Sequence, residues 1–178
     1  MPDGCDEGLN LDISLLPVGM VDEDMMRLLA RGLARRFGRA RVLTKAKVPR
    51  EAFVPRRGQY LSQRFLRMAE GGPGEKVLAV THVDIYCPGF NYLFGQAQVG
   101  GRACTISLSR LHHPNRSVFE ERALKEAFHE IGHTMGLRHC DDPMCVMHFS
   151  SSIASTDRKG EWFCPRCERE LFRILSGE

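Results

Sequence analysis

A chain of 178 residues, 43% hydrophobic and 26% charged, falls in the ordinary range of soluble globular proteins and has material for one substantial core. Its longest apolar runs, such as 13–16 and 77–80, are far shorter than the ~20 residues needed to cross a bilayer, so no membrane span is expected. The net charge of +3 is too small to imply a polyanionic partner. Eleven Lys or Arg do fall between Arg27 and Arg57 against the single acid Glu51. Arg27, Arg31 and Arg35 recur every four residues, as on the solvated face of a helix, and no aromatic ladder for base stacking is interleaved with them. A nucleic-acid partner is not expected.

Residues 9–18 read as a buried strand and 21–37 as a helix, with Asp22 and Glu23 in its first turn and Gly38 beyond its end. A second strand is expected over 41–48. After a loop at 55–58, the spacing of Leu61, Phe65 and Met68 predicts a helix over 60–69, closed by a turn at Gly71, Gly72, Pro73 and Gly74. Residues 76–86, rich in β-branched side chains, read as one central strand, and 94–99 with 103–108 as a hairpin around Gly100 and Gly101. Ser117 and Glu120 form a capping-box pair ahead of a long helix that runs to Gly136. Residues 140–159 show no period and are expected to form a loop, followed by a short helix over 168–175. The order β-α-β-α-β-β-β points to an α+β fold, an α/β-like mixed twisted sheet with helices packed on it.

The chemistry concentrates in the long helix and just beyond it. His129 and His133, four residues apart, lie on one helix face, close enough to share a metal ion. Glu130 is placed to reach a metal-bound water without binding the metal itself. Gly136 tolerates positive φ, so it can end the helix and swing His139 back as a third ligand. Three protein ligands leave one tetrahedral position open, which is the stoichiometry of a catalytic zinc site. Seven cysteines suit a disulfide framework poorly, and four of them form the short-spaced pairs Cys140 with Cys145 and Cys164 with Cys167, a usual route to a tetrahedral thiolate site. Two disulfides or four idle thiols are the competing explanations. Residues 1–10 carry Asp3, Asp6 and Glu7 where a secretory signal would be basic, so a cytoplasmic, reducing location is expected.

The run HEIGHTMGLRH resembles the signature of the metzincin metallopeptidases. With Cys140 directly after His139, then Cys145, Met147 and the CPRC segment, it is similar to the archaemetzincins, as are the VTHVDIY and ISLSRL segments upstream. The resemblance implies a peptide substrate and two zinc ions, one catalytic and one in a four-cysteine structural site. It further implies Met147 as the apolar floor beneath the metal, and an edge strand containing Gly95, Gln96 and Ala97 on which an extended peptide would lie. It suggests aminopeptidase activity on short peptides. One catalytic domain is expected over 1–178, with the sheet and active-site helix in 1–136 and a small zinc-tied C-terminal subdomain in 137–178, acting as a monomer. Phe149 stands where some metzincins have a tyrosine oxyanion donor. Tyr86, Tyr92, His82, His112 and His113 read as buried or surface residues, Cys87 and Cys104 as buried small hydrophobes, and Cys5 as inert.

Two other readings compete. A zinc-dependent module that binds peptides or a protein without useful turnover would be free to lose Glu130, so the intact glutamate favours an enzyme. A nucleic-acid-binding zinc protein would need the cysteines but not the HEIGHTMGLRH run.

Overall fold

The computed structural model describes residues 9–177, so Cys5 and the acidic start of the chain lie outside the described residues. Strand β1 (Leu11–Val18) leads to helix α1 (Glu23–Phe37), whose N-cap Asp22 accepts from the Asp24 backbone N–H. The outward arginines Arg27, Arg31 and Arg35 are solvent-exposed. Helix α1 passes directly into β2 (Gly38–Val42), so the second strand begins earlier than expected, and residues 43–48 keep only a single bridge from Ala46 to Val18. The cause is Gly38, at φ +130°, where a Cβ would come within 2.6 Å of the Leu9 carbonyl and the Leu11 amide. Only glycine reverses the chain so tightly there.

A 3-10 turn at Arg50–Ala52 and the short strands β3 (Phe53–Val54) and β4 (Gln59–Leu61) follow. Tyr60 and Leu61, expected to open a helix, belong to β4; helix α2 is Ser62–Glu70 and buries Ser62, Phe65, Leu66 and Ala69, a face rotated from the one the sequence suggested. Strand β5 (Lys76–Thr81) is the central strand but stops at Thr81, where the hydroxyl turns back to donate to the Val18 carbonyl at 3.0 Å. The rest of the expected single strand becomes β6 (Ile85–Tyr86), which joins β3 and β4 in a separate three-stranded sheet. Strands β7 (Gly95–Ala97) and β8 (Ala103–Ser107) form the expected antiparallel hairpin.

Helix α3 (Arg116–Thr134) is capped by Asn115, whose Oδ1 accepts from the Ser117 amide at 3.0 Å, not by the Ser117/Glu120 box. The expected loop at 140–159 contains a short helix, α4 (Ile153–Arg158), and the last helix α5 (Pro165–Ser176) starts three residues early because Pro165 supplies its first turn.

The main sheet has the order β2-β1-β5-β8-β7, parallel except for the edge strand β7. Alternate residues of its central strands feed two cores. Ile13, Leu15, Leu78, Val80 and Ile106 pack against Met25, Leu29 and Leu33 of α1 and Ala127 and Ile131 of α3. Val77, Ala79 and Ala103 pack against Phe65, Leu66 and Ala69 of α2. Covering both faces explains why β5 is apolar almost throughout. Cys140, Cys145, Val146, Met147, Phe163 and Leu171 join the first core, so the chain after α3 packs on the same helices that cover the sheet. Among the described residues, no helix is long and apolar enough to cross a membrane.

Gly38→Ala should lower stability by roughly 3 kcal/mol, from left-handed strain together with the backbone clash, read as a fall in the chemical-denaturation midpoint.

Candidate active site

Helix α3 presents Glu126, His129, Glu130 and His133 as one buried stripe, at the spacing that places side chains above one another on a helix. The His129 Nδ1 lies 2.8 Å from the Val146 carbonyl and the His133 Nδ1 lies 2.7 Å from the Leu137 carbonyl. A carbonyl has no proton to give, so each Nδ1 must carry the hydrogen and donate it. Both Nε2 atoms are then bare electron-pair donors, and they face one another at 3.1 Å. Two lone pairs at that distance repel unless a cation lies between them.

His139 completes the group. Gly136 has φ +102°, its amide donates to the His133 carbonyl at 2.9 Å, and the Leu137 amide donates to the Gly132 carbonyl at 3.1 Å, which is how the helix ends and the chain doubles back. The imidazole of His139 lies 4.8 Å from that of His133 and 5.4 Å from that of His129, between centroids. The three nearest ring nitrogens all fall within 4.8 Å of one another. Tetrahedral zinc–imidazole bonds of ~2.0–2.1 Å set nitrogens ~3.3 Å apart, so the group fits that ion. Burial pushes the pKa of His129 well below its ordinary value and that of His133 down to about 4, with Lys159 adding to the effect on both. Burial also lowers His139. All three are neutral at pH 7, the form that binds metal.

Glu130 is buried, and its Oε2 has no hydrogen-bond partner among the described residues. Desolvation, then the neighbouring Glu126, raises its pKa well above the usual carboxylate range. Strand β7 passes directly over it: a Cβ on Gly95 would come within 2.5 Å of Glu130 Oε1. Gly95, Gln96 and Ala97 line one wall of a cleft of about 940 Å³, with His129, Glu130, His133 and His139 at its floor. Met147 is fully buried against α3, where a Cβ on Gly132 would come within 2.5 Å of its sulfur. Phe149 packs on His139 with centroids 5.0 Å apart and offers no hydroxyl.

The four cysteines converge as well. Cys140 Sγ lies 3.7 Å from Cys164 Sγ, Cys145 Sγ lies 3.7 Å from Cys167 Sγ, and all four sulfurs fall within 4.8 Å. None is disulfide-bonded. Thiolates around tetrahedral zinc, at ~2.3 Å bonds, stand ~3.8 Å apart. Arg166 Nη2 and the Cys164 amide donate to the sulfurs of Cys140 and Cys145 at 3.2 and 3.3 Å.

Several residues escaped the sequence reading. Tyr92 and Cys87 line the cleft, where a packed or surface tyrosine and a buried thiol were expected; Cys104 is buried as expected. Glu126 also lines the cleft, and the fully buried Lys159 sits 3.0 Å from it, an ion pair not aligned as a hydrogen bond. Glu126 was detectable one turn before Glu130 on the same face. Gly132, costly in mid-helix, was a signal for close packing. Nothing local marks Lys159, whose burial depends on the path of the chain after α4.

Fold and site together define a zinc metallopeptidase. Residues 72–173 match the family model for peptidase family M54. The archaemetzincin of Methanopyrus kandleri is 47% identical over 133 residues, 74% of this chain and 76% of that one, and the archaemetzincin of Methanocaldococcus jannaschii is 39% identical over 89% of this chain and 92% of its own. The crystal structure of the M. kandleri protein superposes with a TM-score of 0.86 over 99% of both chains at 37% identity. That of the Archaeoglobus fulgidus archaemetzincin, complexed with malonate, gives 0.83 over 89% of this chain and 99% of the other at 36% identity. The chain belongs to peptidase family M54, the archaemetzincins.

Between pH 6.5 and about 4 the unfolded chain binds a proton at His133 that the folded metal-free protein does not, so stability falls as pH drops through that window. Metal-free protein should lose roughly 3 kcal/mol there from His133 alone, measured by urea denaturation at each pH.

Proposed function

We propose that His129, His133 and His139 hold a zinc ion, that Glu130 is the general base beside it, and that Cys140, Cys145, Cys164 and Cys167 hold a second, structural zinc. The observation that carries this reading is the facing pair of bare Nε2 atoms next to the unpartnered carboxylate oxygen of Glu130. When bound at the histidines, zinc supplies Lewis-acid chemistry, acidifying water toward a pKa of ~7 and polarising a carbonyl.

Glu130 does the proton work. Its free Oε2 accepts a proton from the attacking water, and desolvation raises its basicity for that task. The same carboxyl then delivers the proton to the leaving amine. The free edge formed by Gly95, Gln96 and Ala97 takes an extended peptide by backbone pairing, and the lack of a side chain on Gly95 lets the scissile bond approach Glu130. Gly136 directs His139 to the metal, and Met147 supports the histidines from below.

Short peptides trimmed from the N-terminus are the substrate class. The Tyr92 hydroxyl on one wall donates to the Ser151 carbonyl on the other at 3.4 Å, so the cleft is bridged, which favours short chains over folded proteins. The protein works as a cytoplasmic monomer with one catalytic domain, in which residues 137–178 are tied by the second zinc. His139 and Cys140 are adjacent, so the cysteine site holds the backbone that carries the third histidine.

Glu130→Gln should retain zinc at the histidines and lower kcat/KM about 10²–10⁴-fold in a mass-spectrometric peptide-library digest. Free N-termini should be cut and acetylated ones spared; equal cleavage would exclude aminopeptidase action. Cys164→Ser should weaken zinc at the histidine site roughly tenfold, measured by chelator competition, while unchanged affinity would uncouple the two sites.

A further inference from the structure

Every ionic group that lines the cleft, with one exception, has a use or a partner within the protein. The three histidines converge on one another, Glu130 sits beside them, and Glu126 is neutralised by Lys159 at 3.0 Å. The exception is Arg138. It lines the cleft, is solvent-exposed, and among the described residues its side chain makes no hydrogen bond or ion pair. Among the described residues that line the cleft it is also the sole lysine or arginine.

Its backbone is fixed on both sides. The Leu137 carbonyl accepts from the His133 ring at 2.7 Å, the Leu137 amide donates to Gly132, and the Cys140 amide donates to the Met147 carbonyl at 3.0 Å. Arg138 is therefore displayed from a rigid reversal beside His139. At the same end of the cleft the Gly100 amide donates to the His133 carbonyl at 2.9 Å, which brings the β7 wall, with Ala97 and the exposed Val99, against the end of α3. The acidic residues among the described residues that line the cleft are Glu126 and Glu130, and neither pairs with Arg138. A guanidinium keeps its charge at every working pH, and its planar fork matches a carboxylate in two parallel hydrogen bonds.

We propose that Arg138 binds a carboxylate of the peptide substrate and so determines specificity, favouring peptides that present an acidic group to this end of the cleft. The carboxylate is an Asp or Glu side chain or the C-terminus of a short peptide. This rests on the reading of the cleft as the peptide site. Because Arg138 acts on the substrate and not on the reacting atoms, its signature is a preference between substrates.

The experiment compares zinc-loaded wild type with Arg138→Gln, Arg138→Lys and Arg138→Glu on peptides that differ by Glu against Gln at one position at a time, each with a free and an amidated C-terminus. Wild type should prefer one acidic form by roughly tenfold in kcat/KM, equivalent to about 1.4 kcal/mol. Arg138→Gln should bring that ratio close to one, Arg138→Lys should retain only the part that charge alone supplies, and Arg138→Glu should reverse it. Loss of the preference on amidation identifies the C-terminus as the source; its persistence identifies the side chain. The same ratios, read by calorimetric binding to zinc-loaded Glu130→Gln protein with and without Arg138→Gln, do not depend on turnover, so failure of wild type to hydrolyse the peptides would count against the proposed function and leave the assignment of Arg138 to the binding ratios. No preference in wild type, or the same preference in Arg138→Gln, would overturn the assignment of Arg138.

Discussion

The site depends on two hydrogen bonds from imidazole rings to backbone carbonyls. His129 donates to Val146 and His133 to Leu137, and with those bonds made, each ring has one orientation and one tautomer. The first ties α3 to the segment that carries Met147 and the cysteines. The second ties it to the reversal at Gly136. Together they aim two bare nitrogens at one point, where they are stable only with a shared cation. The sheet, the core and the C-terminal segment serve to hold those two carbonyls in place.

Close approach is the second constraint, and glycine supplies it at both levels of the site. Gly95 lets the edge strand pass over Glu130, and Gly132 lets Met147 rise against the helix between the two histidines. Each gives up side-chain packing and backbone rigidity in elements that would otherwise favour a larger residue. The gain is an edge strand that lies directly over the Glu130 carboxyl.

Burial of so many polar groups needs compensation. Glu126 and Glu130 lie one turn apart on a buried face, and both charges together would be costly in a medium that screens poorly. Lys159, brought in by the chain after α4, neutralises Glu126 and leaves Glu130 without a permanent partner. Around it, Arg122 holds Asp157 in two hydrogen bonds of 2.6 and 2.7 Å, and Lys125 reaches the carbonyls of Thr156 and Asp157. This polar belt fixes α4 against α3. Breaking a buried pair of this kind leaves an uncompensated charge, so the belt is a structural commitment as well as an electrostatic one.

The sequence by itself determined the convergence of the three histidines beside Glu130, because the spacing of side chains on a helix is a local property: His129, Glu130, His133 and the glycine before His139 needed only helical periodicity and one positive φ to come together. It also determined most strands and helices of the main sheet, whose periodicity follows from burial on one or both faces. It erred where partners distant in the chain decide the outcome. Gly38 packs on the Leu9 and Leu11 backbone, so β2 begins at once. Residues 85–86 leave the central strand because β4 offers them a separate edge. Lys159, Tyr92 and Arg138 carry no local mark of their place beside the cleft. Their positions depend on which carbonyls and cavities the folded chain brings near them, and that is set by tertiary packing, which no short-range pattern encodes.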